Sequence, residues 1–339
     1  MKIRARGITI GHLPTGIKNC ITDVEGVAVG HVTLDHALEE GKHVCTGVTA
    51  ILPHQGNLFR EKVIGASYVI NGFGKSVGLV QIDELGTIES PIMLTNTFSV
   101  GAVLHGTIQY MLDQAPEIGD TTGTVNVVVG ECNDGHLNSI REMVIQPDDA
   151  KAALNQASTE QVEEGAVGAG KGMVCFGHKG GIGSSSRKVE HFTLGVLVLS
   201  NYGQASDFEK GRYQVGESPY EEVPPTDGSI MIVLATDAPV SSRQLKRIAK
   251  RCGIGLGKTG GYFSNGSGDI VIAFSTAQKI AHQQEEADHI EALRDESEVM
   301  YGLFKAAAEA TEEAILNSLS QAVTTTGRNG KVVEAYPFE

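Results

Sequence analysis

The sequence of 339 residues has no tryptophan, no long apolar run and no cluster of basic residues. A membrane-spanning helix needs about 20 consecutive apolar residues, and nucleic acids are bound through clustered Lys and Arg side chains. We therefore expect a protein that binds neither membranes nor nucleic acids. The formal net charge of −14 indicates an acidic surface, which favours solubility and substrates that carry an ammonium group.

Metal-binding and disulfide patterns are also missing. The five cysteines lie far apart, with no Cys-x-x-Cys spacing, and none of the eleven histidines belongs to a His-Glu-x-x-His motif. An odd number of scattered cysteines is typical of a reducing compartment rather than of a disulfide-rich secreted protein. We therefore expect a cytoplasmic protein that uses neither a metal ion nor another cofactor.

What is present is a regular alternation of apolar segments in a glycine-rich chain. Continuous apolar, β-rich runs predict strands that are buried on both faces, at Val27–Val32, Val48–Leu52, Ala66–Ile70, Val125–Val129, Phe192–Leu199, Ile230–Ala235 and Ile270–Phe274. The spacing of apolar residues predicts helices at Phe98–Ala115, Asp148–Ala157, Ser241–Cys252 and Glu296–Gln321. Strands and helices alternate, which indicates a layered α/β architecture.

The junction between Gly228 and Ser229 is the main candidate for chemistry. The polar, acidic and proline-rich segment Glu217–Gly228 predicts an exposed loop that leads directly into the strand pattern Ile230–Ala235. Glycine permits strained backbone conformations, so we expect the Ser229 hydroxyl to reach the preceding carbonyl and cut the chain. The freed α-amine, with a reference pKa of about 7.7–8.0, then acts as the base for the same hydroxyl. An ordinary turn into a strand fits this dipeptide equally, and the dipeptide recurs elsewhere in the chain.

Further polar clusters stand at the ends of predicted strands. Ser267 and Asp269 precede a strand and present a hydroxyl and a carboxylate that can orient an amine. Glu131 follows a strand and can hold a substrate ammonium group by a charge-assisted hydrogen bond, and Asn201 can donate to an oxyanion. Each cluster also fits a plain turn. Cys132 is an alternative nucleophile, although no histidine partner is evident in the sequence.

Two short motifs point to other chemistry. Gly165–Gly172 nearly matches a phosphate-binding loop, which makes a nucleotide-binding protein an alternative function. However, Gly172 stands where such a loop needs Ser or Thr, and a helix-like acidic stretch precedes it instead of a strand. Gly74–Gly78 matches the Gly-x-Ser-x-Gly elbow of hydrolases, but strand-like residues (Gly78–Ile82) follow where a helix is required. We interpret both as chance matches in a glycine-rich chain.

Several of these segments occur together, in the same order, in one known family. The chain resembles the L-aminopeptidase/D-esterase (DmpA-type) family of self-cleaving N-terminal serine hydrolases, which includes β-peptidyl aminopeptidases. The resemblance spans nearly the whole chain and is carried by Ile21–His31, Glu131–Asn138, Lys179–Arg187, Ser200–Gly203, Asp227–Ile230, Ala235–Pro239, Ser267–Asp269, Glu312–Asn317 and Thr326–Ala335.

The resemblance implies a four-layer α/β/β/α sandwich, similar to that of ornithine acetyltransferases, with residues 1–339 forming one catalytic domain. It implies self-cleavage between Gly228 and Ser229 into a larger chain (1–228) and a smaller chain (229–339), and assembly into a homo-oligomer, a tetramer of cleaved pairs. The implied activity is that of a serine aminopeptidase, amidase or esterase that acts on peptides, amides or esters with a free amine. Acyl transfer on the same fold and an uncleaved binding protein are the alternatives.

The family pattern also implies a role for each candidate residue. Ser229 is the nucleophile, and Ser267 with Asp269 positions and tunes its amine. Asn201 supplies the oxyanion contact, and Glu131 binds the substrate amine.

The sequence departs from the family pattern at two of these places. The family often has Glu where this chain has Asp269, so the shorter side chain must lie closer to the amine or act through water. Some members carry a Tyr where this chain has Asn133, so the oxyanion contact of that Tyr hydroxyl is missing and we expect a different substrate preference.

Overall fold

Two large β-sheets form the centre of the computed structural model, which describes residues 1–218, 228–283, 287 and 289–338. The strands within these residues are β1 (Ala28–Ala37), β2 (His43–Leu52), β3 (Glu61–Gly72), β4 (Thr87–Ile88), β5 (Ile92–Asn96), β6 (Val128–Cys132), β7 (Val174–Cys175), β8 (His178–Lys179), β9 (Gly181–Val189), β10 (Phe192–Asn201), β11 (Ser229–Thr236), β12 (Gly268–Ala281), β13 (Thr325–Thr326) and β14 (Val332–Val333). One sheet has the order β1-β2-β5-β6 and the other β4-β3-β12-β11-β10-β9, while β7-β8 and β13-β14 form short hairpins. The pairs β5–β6 and β11–β12 are parallel.

Helices cover the outer faces of both sheets. In the described part of the chain they are α1 (Leu79–Leu85), α2 (Val100–Gln114), α3 (Pro147–Asn155), α4 (Lys210–Tyr213), α5 (Ser242–Ala249), α6 (Cys252–Thr259) and α7 (Glu298–Ser320). Helices α2 and α3 pack on the four-stranded sheet, whereas α5 and α7 pack on the six-stranded sheet and α6 packs on α7. Among these helices, none has the length and apolar character needed to cross a bilayer.

Three apolar cores separate the four layers. One core lies between the two sheets, and the other two lie between each sheet and its helices. Strand β11 contributes to two of the cores, with Ile230, Ile232 and Leu234 on the helix side and Met231, Val233 and Ala235 on the side of the other sheet. Because both faces of this strand are covered, its residues are apolar without alternation. The predicted four-layer α/β/β/α sandwich is therefore confirmed.

The structure corrects two local predictions. Residues after Gly78 are helical, not strand-like, because Gly78 (φ 93°) and Gly86 (φ 68°) take left-handed conformations that limit the seven-residue helix α1. The helix begins with the largely apolar residues Leu79–Ile82, so the sequence suggests a strand there. The acidic stretch that precedes Gly165, which the sequence suggested to be helix-like, is not helical: Ser158 forms a β-bridge to Val29, and residues 159–164 are irregular.

A third difference concerns the predicted helix Ser241–Cys252. Helix α5 ends at Ala249, and a second helix, α6, begins at Cys252, where the predicted helix ends. The glycines of α6 disfavour a helix on local propensity. In the fold they permit close packing, since a Cβ added at Gly255 would lie 2.4 Å from the backbone oxygen of Ala308 in α7.

A buried ion network ties β9 to α7. The Arg187 guanidinium is fully buried and lies 3.2 Å from Glu309 and 2.7 Å from Glu313, while Arg4 lies 2.8 Å from Glu313. Removing one partner from a buried ion pair typically costs about 3–5 kcal/mol. Arg187 and Glu313 therefore have a structural role in the fold.

Candidate active site

The candidate site forms where three neighbouring strands of the six-stranded sheet meet. Strand β10 ends at Asn201, β11 begins at Ser229 and β12 begins at Gly268. Ser229 pairs with Asn201 on one side and with Gly268 on the other. The Gly268 N–H donates a 3.2 Å hydrogen bond to Ser229 Oγ. Because Ser229 is only 6% exposed, its hydroxyl is held in a nearly closed site.

Gly228 precedes this serine in a confined space. A Cβ atom added at Gly228 would lie 2.8 Å from Tyr202 Cα and 3.2 Å from the backbone oxygen of Asn201. The φ angle of Gly228 depends on residue 227, which lies outside the described residues, so the strained backbone expected at Gly228 stays a prediction. Glycine is required here because a side chain has no room. Most of the predicted loop Glu217–Gly228 lies outside the described residues.

Ser267 and Asp269 flank Gly268 and contact each other. The Ser267 hydroxyl donates a 2.6 Å hydrogen bond to Asp269 Oδ1. The second oxygen, Oδ2, is buried and has no hydrogen-bond partner among the described residues. Burial raises the pKa of Asp269 to about 6, although the hydrogen bond from Ser267 opposes this. An unsatisfied buried oxygen is costly, so Oδ2 is an acceptor suited to an additional donor.

We expect Asp269→Asn to stabilise the uncut chain at neutral pH. The pKa of Asp269 is raised from 3.8 to about 6 in the folded chain, so between these values the folded state binds more protons than the unfolded state. Its stability therefore falls as pH rises through this window. Asparagine does not titrate, so the variant does not lose stability in this pH window. At neutral pH its free energy of unfolding should therefore be higher by an amount on the order of 1–3 kcal/mol.

The difference in stability is measured by thermal unfolding of the Ser229→Ala variant, with and without Asp269→Asn. The Ser229→Ala background is used because that chain is expected to stay uncut. At a pH below the ordinary pKa of aspartate both side chains are neutral, so the two Tm values should converge there. Equal Tm values at neutral pH would contradict a raised pKa.

The Asn201 side chain is held by two backbone groups. The Val174 N–H donates to Oδ1 at 2.9 Å, and Nδ2 donates to the Asn133 carbonyl at 3.0 Å. These contacts orient the amide and leave one Nδ2 hydrogen without an acceptor among the described residues. Since Asn201 faces Ser229 across the β10–β11 ladder, this hydrogen is well placed to stabilise an oxyanion at Ser229. The Asn133 side chain instead accepts from the Gly135 N–H in a local turn.

Glu131 lies within β6, not after the strand as predicted, because β6 runs to Cys132. The Lys75 N–H donates a 2.9 Å hydrogen bond to Oε1, and the Thr97 hydroxyl donates to Oε2. A carboxylate can accept about four hydrogen bonds, so both oxygens keep capacity for an ammonium group. Lys75 and Thr97 were not identified from the sequence. Thr97 follows the end of β5, beside the end of the parallel strand β6, and this adjacency is the signal that could have revealed it.

Gly74 lies between the Glu131 carboxylate and the strand end that holds Ser229. A Cβ atom added at Gly74 would lie 3.9 Å from Glu131 Oε1 and 3.8 Å from Gly268 Cα. Gly268 in turn donates to the Ser229 hydroxyl. Stacking of the two sheets thus brings Glu131 to the same site as Ser229, Asn201 and Asp269.

Cys132 does not fit the role of nucleophile. Burial, together with the charge of Glu131, raises the pKa of its thiol well above the ordinary value. The sulfur lies 3.6 Å from the backbone oxygen of Leu199, within the core between the sheets. Because the thiolate is the reactive form of cysteine, this residue is poorly suited to attack a substrate.

The segment Gly165–Gly172 does not present the free N–H groups that a phosphate requires. Backbone N–H groups along it donate to acceptors within the protein, at 2.7–3.1 Å: Gly165 to Ile182, Gly168 to Thr33, and Ala169 to Thr49. The nucleotide-binding alternative therefore has no support from the structure.

The motif Gly74–Gly78 does precede a helix, contrary to the sequence interpretation. Its Ser76 hydroxyl contacts the sulfur of Met231 at 3.8 Å, and no histidine among the described residues hydrogen bonds to it. Ser76 therefore lacks the base that a nucleophile elbow needs.

Comparisons with known proteins identify the family and the fold of this chain. The model of Peptidase family S58 matches residues 19–333. Beta-peptidyl aminopeptidase BapA from Sphingosinicella microcystinivorans is 39% identical over 362 residues, which cover 99% of this chain and 89% of the relative. The structure of the PH0078 protein from Pyrococcus horikoshii superposes with a TM-score of 0.92 at 48% identity, covering 100% of this chain and 96% of that chain.

A further solved structure is that of the L-aminopeptidase D-Ala-esterase/amidase from Ochrobactrum anthropi, which is described as a prototype for the serine aminopeptidases and a new variant among the Ntn hydrolase fold. It matches with a TM-score of 0.90 at 34% identity, covering 99% of this chain and 96% of that chain. The fold and its similarities thus define a serine aminopeptidase of the N-terminal nucleophile hydrolase class. The chain belongs to peptidase family S58, which confirms the family resemblance found in the sequence.

Proposed function

We propose that the chain cuts itself between Gly228 and Ser229, and that Ser229 then releases amino-terminal residues from peptides, amides or esters with a free amine. The observation that carries this proposal is the convergence of Ser229, Asn201 and Asp269 at three adjoining strand ends, with the Glu131 carboxylate buried nearby.

The proposed self-cleavage uses the Ser229 hydroxyl, which accepts a hydrogen bond from the Gly268 N–H. Its oxygen attacks the Gly228 carbonyl carbon, the peptide C–N bond breaks, and an ester forms between the two residues. Water then hydrolyses this ester, leaving a carboxylate on Gly228 and a free amine and hydroxyl on Ser229. The resulting chains are 1–228 and 229–339, which together form a single catalytic domain.

In turnover, the Ser229 amine is the base for its own hydroxyl. The buried Asp269 Oδ2, which has no hydrogen-bond partner in the described part of the uncut chain, accepts a hydrogen bond from this new amine. Ser267 holds the other carboxylate oxygen and so fixes the direction in which Asp269 points. The Ser229 hydroxyl attacks the substrate carbonyl, Asn201 donates to the oxyanion, and water releases the acyl group.

Substrate selection rests on Glu131. Its carboxylate is buried and already oriented by two donors, so a substrate ammonium group completes its hydrogen bonding. Asn133 borders the oxyanion donor through its backbone carbonyl. Because one similar protein is named a beta-peptidyl aminopeptidase, we infer that substrates with a β-amino residue fit this site.

Assembly and location complete the proposal. We infer a homo-oligomer, a tetramer of cleaved pairs, in line with the family pattern. We also infer a cytoplasmic location, because all five cysteines are free and buried, as expected in a reducing compartment.

The experiment combines intact mass with activity. Freshly purified wild-type protein should yield the masses of 1–228 and 229–339. It should hydrolyse aminoacyl p-nitroanilides, aminoacyl amides or β-dipeptides, but not the N-acetylated form of the same substrate. The proposal is wrong if the protein is one unbroken polypeptide that hydrolyses these substrates at full rate.

A further inference from the structure

The peptide group between Met173 and Val174 is hydrogen-bonded at both ends. Its N–H donates to Asn201 Oδ1 at 2.9 Å, and its carbonyl oxygen accepts from Lys179 Nζ at 2.8 Å. One peptide group therefore links a lysine ammonium to the side-chain amide that faces Ser229.

Lys179 is fully buried, and its ammonium group donates to three backbone carbonyls. The acceptors are Gly170 at 2.9 Å, Met173 at 2.8 Å and Gly180 at 2.7 Å. The Lys179 amine has three N–H donors for these three carbonyl acceptors only when it is protonated. The arrangement thus holds a cation in the interior, next to the segment that carries Val174.

No counter-ion hydrogen bonds to this cation among the described residues. The titratable groups around it are Cys45, Lys171, Cys175 and Asp134. Burial opposes this charge and lowers the pKa of Lys179, whereas the three carbonyl acceptors favour the protonated form. Lysine is rarely fully buried without a pairing carboxylate, so packing alone does not account for this residue.

Hydrogen bonds in a chain strengthen one another. A cation at the Met173 carbonyl draws electron density toward it, which makes the Val174 N–H a stronger donor. That donor in turn polarises the Asn201 amide and strengthens its Nδ2 hydrogens, by roughly 10–30% per bond in condensed-phase estimates. The same bonds fix the rotation of the amide, so the free Nδ2 hydrogen keeps its direction.

We propose that Lys179 is a positioning residue for the oxyanion donor, which it orients and polarises through the Met173–Val174 peptide group. This inference rests on the proposed function, because it acts through the role given to Asn201. Lys179 itself does not touch the substrate.

A double-mutant cycle between Lys179 and Asn201 tests the proposal. Asn201→Ala should lower kcat by about 10²–10³-fold. Lys179→Met should lower kcat by roughly two- to eightfold with little change in KM, since the donor is weakened but not removed. In the Asn201→Ala background, Lys179→Met should cause no further loss of kcat. All rates are expressed per cleaved chain, with the cleaved fraction taken from intact mass.

Two further variants complete the experiment. Lys179→Gln loses the charge and one of the three N–H donors but keeps two donors for the surrounding carbonyls, so it supplies the cycle if Lys179→Met does not fold. Lys2→Met is the control outside the Asn201 chain, because the Lys2 ammonium also donates to two backbone carbonyls, those of Asn19 and Ser184, and in addition pairs with Glu164. Its kcat should be unchanged.

The outcomes separate this inference from the proposed function. If Asn201→Ala has no effect on kcat, the oxyanion role fails, and the inference fails with it. If Asn201→Ala lowers kcat as expected, two results overturn the role of Lys179 alone. Either the Lys179 variants lower kcat by the same factor in both backgrounds, or they do not lower kcat at all.

Discussion

Replacing Ser229 by alanine is expected to leave one uncut polypeptide with no aminopeptidase activity. The hydroxyl that the Gly268 N–H holds in place is the atom proposed to attack the Gly228 carbonyl, and alanine has no hydroxyl with which to form the ester. Without the cut there is no free amine on residue 229, so both the nucleophile and its base are lost together. A denaturing gel and intact mass measure the cut, and p-nitroanilide hydrolysis measures the activity.

The matched control is Ser184→Ala, which alters the same Gly-Ser dipeptide at another place. Ser184 Oγ donates to the Val196 carbonyl and accepts from the Ile21 N–H inside the sheet, so this variant should lose some stability yet be cut like the wild type. Two chains from Ser229→Ala would refute the assignment of the nucleophile.

Glu131→Gln is expected to lower kcat/KM for substrates with a free amine while leaving self-cleavage intact. Removing the carboxylate leaves a buried ammonium group without its opposite charge, which typically costs about 3–5 kcal/mol, or roughly 10²–10⁴-fold in kcat/KM. The bond cut during self-cleavage lies within the chain and carries no ammonium group. The variant should therefore give two chains and poor turnover.

Glu89→Gln serves as its control. Glu89 is also a buried carboxylate, paired with Lys62 at 2.5 Å and bound by Asn126, but it lies outside the candidate site. Its replacement should reduce stability without a selective effect on amine-bearing substrates. If Glu131→Gln hydrolyses such substrates at the wild-type rate, Glu131 does not bind the amine.

Much of the architecture was predictable, because the strands of the central sheet are buried on both faces. Strands β10 and β11 appear in the sequence as continuous apolar runs, and their ends place Asn201 and Ser229 at the edges of those runs. Strand β9 was not predicted, because its first residues, from Gly181 to Ser186, are glycines and serines except for Ile182. These small residues permit close packing, since a Cβ added at Gly183 would lie 2.0 Å from the Ala314 oxygen in α7.

Several contacts of the candidate site were not predictable from the sequence for a different reason. Lys75 and Val174 contribute through backbone N–H groups, which every residue except proline possesses, so their identity carries no signal. Lys179 stands in a glycine-rich segment where a surface lysine is the ordinary expectation, yet its side chain is fully buried.

The sequence by itself determined where the strands lie, which residues stand at their ends, and that Gly228 and Ser229 join a polar segment to a buried strand. Only the tertiary structure decided which of those ends meet. Sheet order places β11 between β10 and β12, and the stacking of the two sheets brings β6 into contact with β10 and β11. The physical reason is that apolar periodicity reports burial along one segment, whereas register and sheet order depend on contacts between segments far apart in the chain.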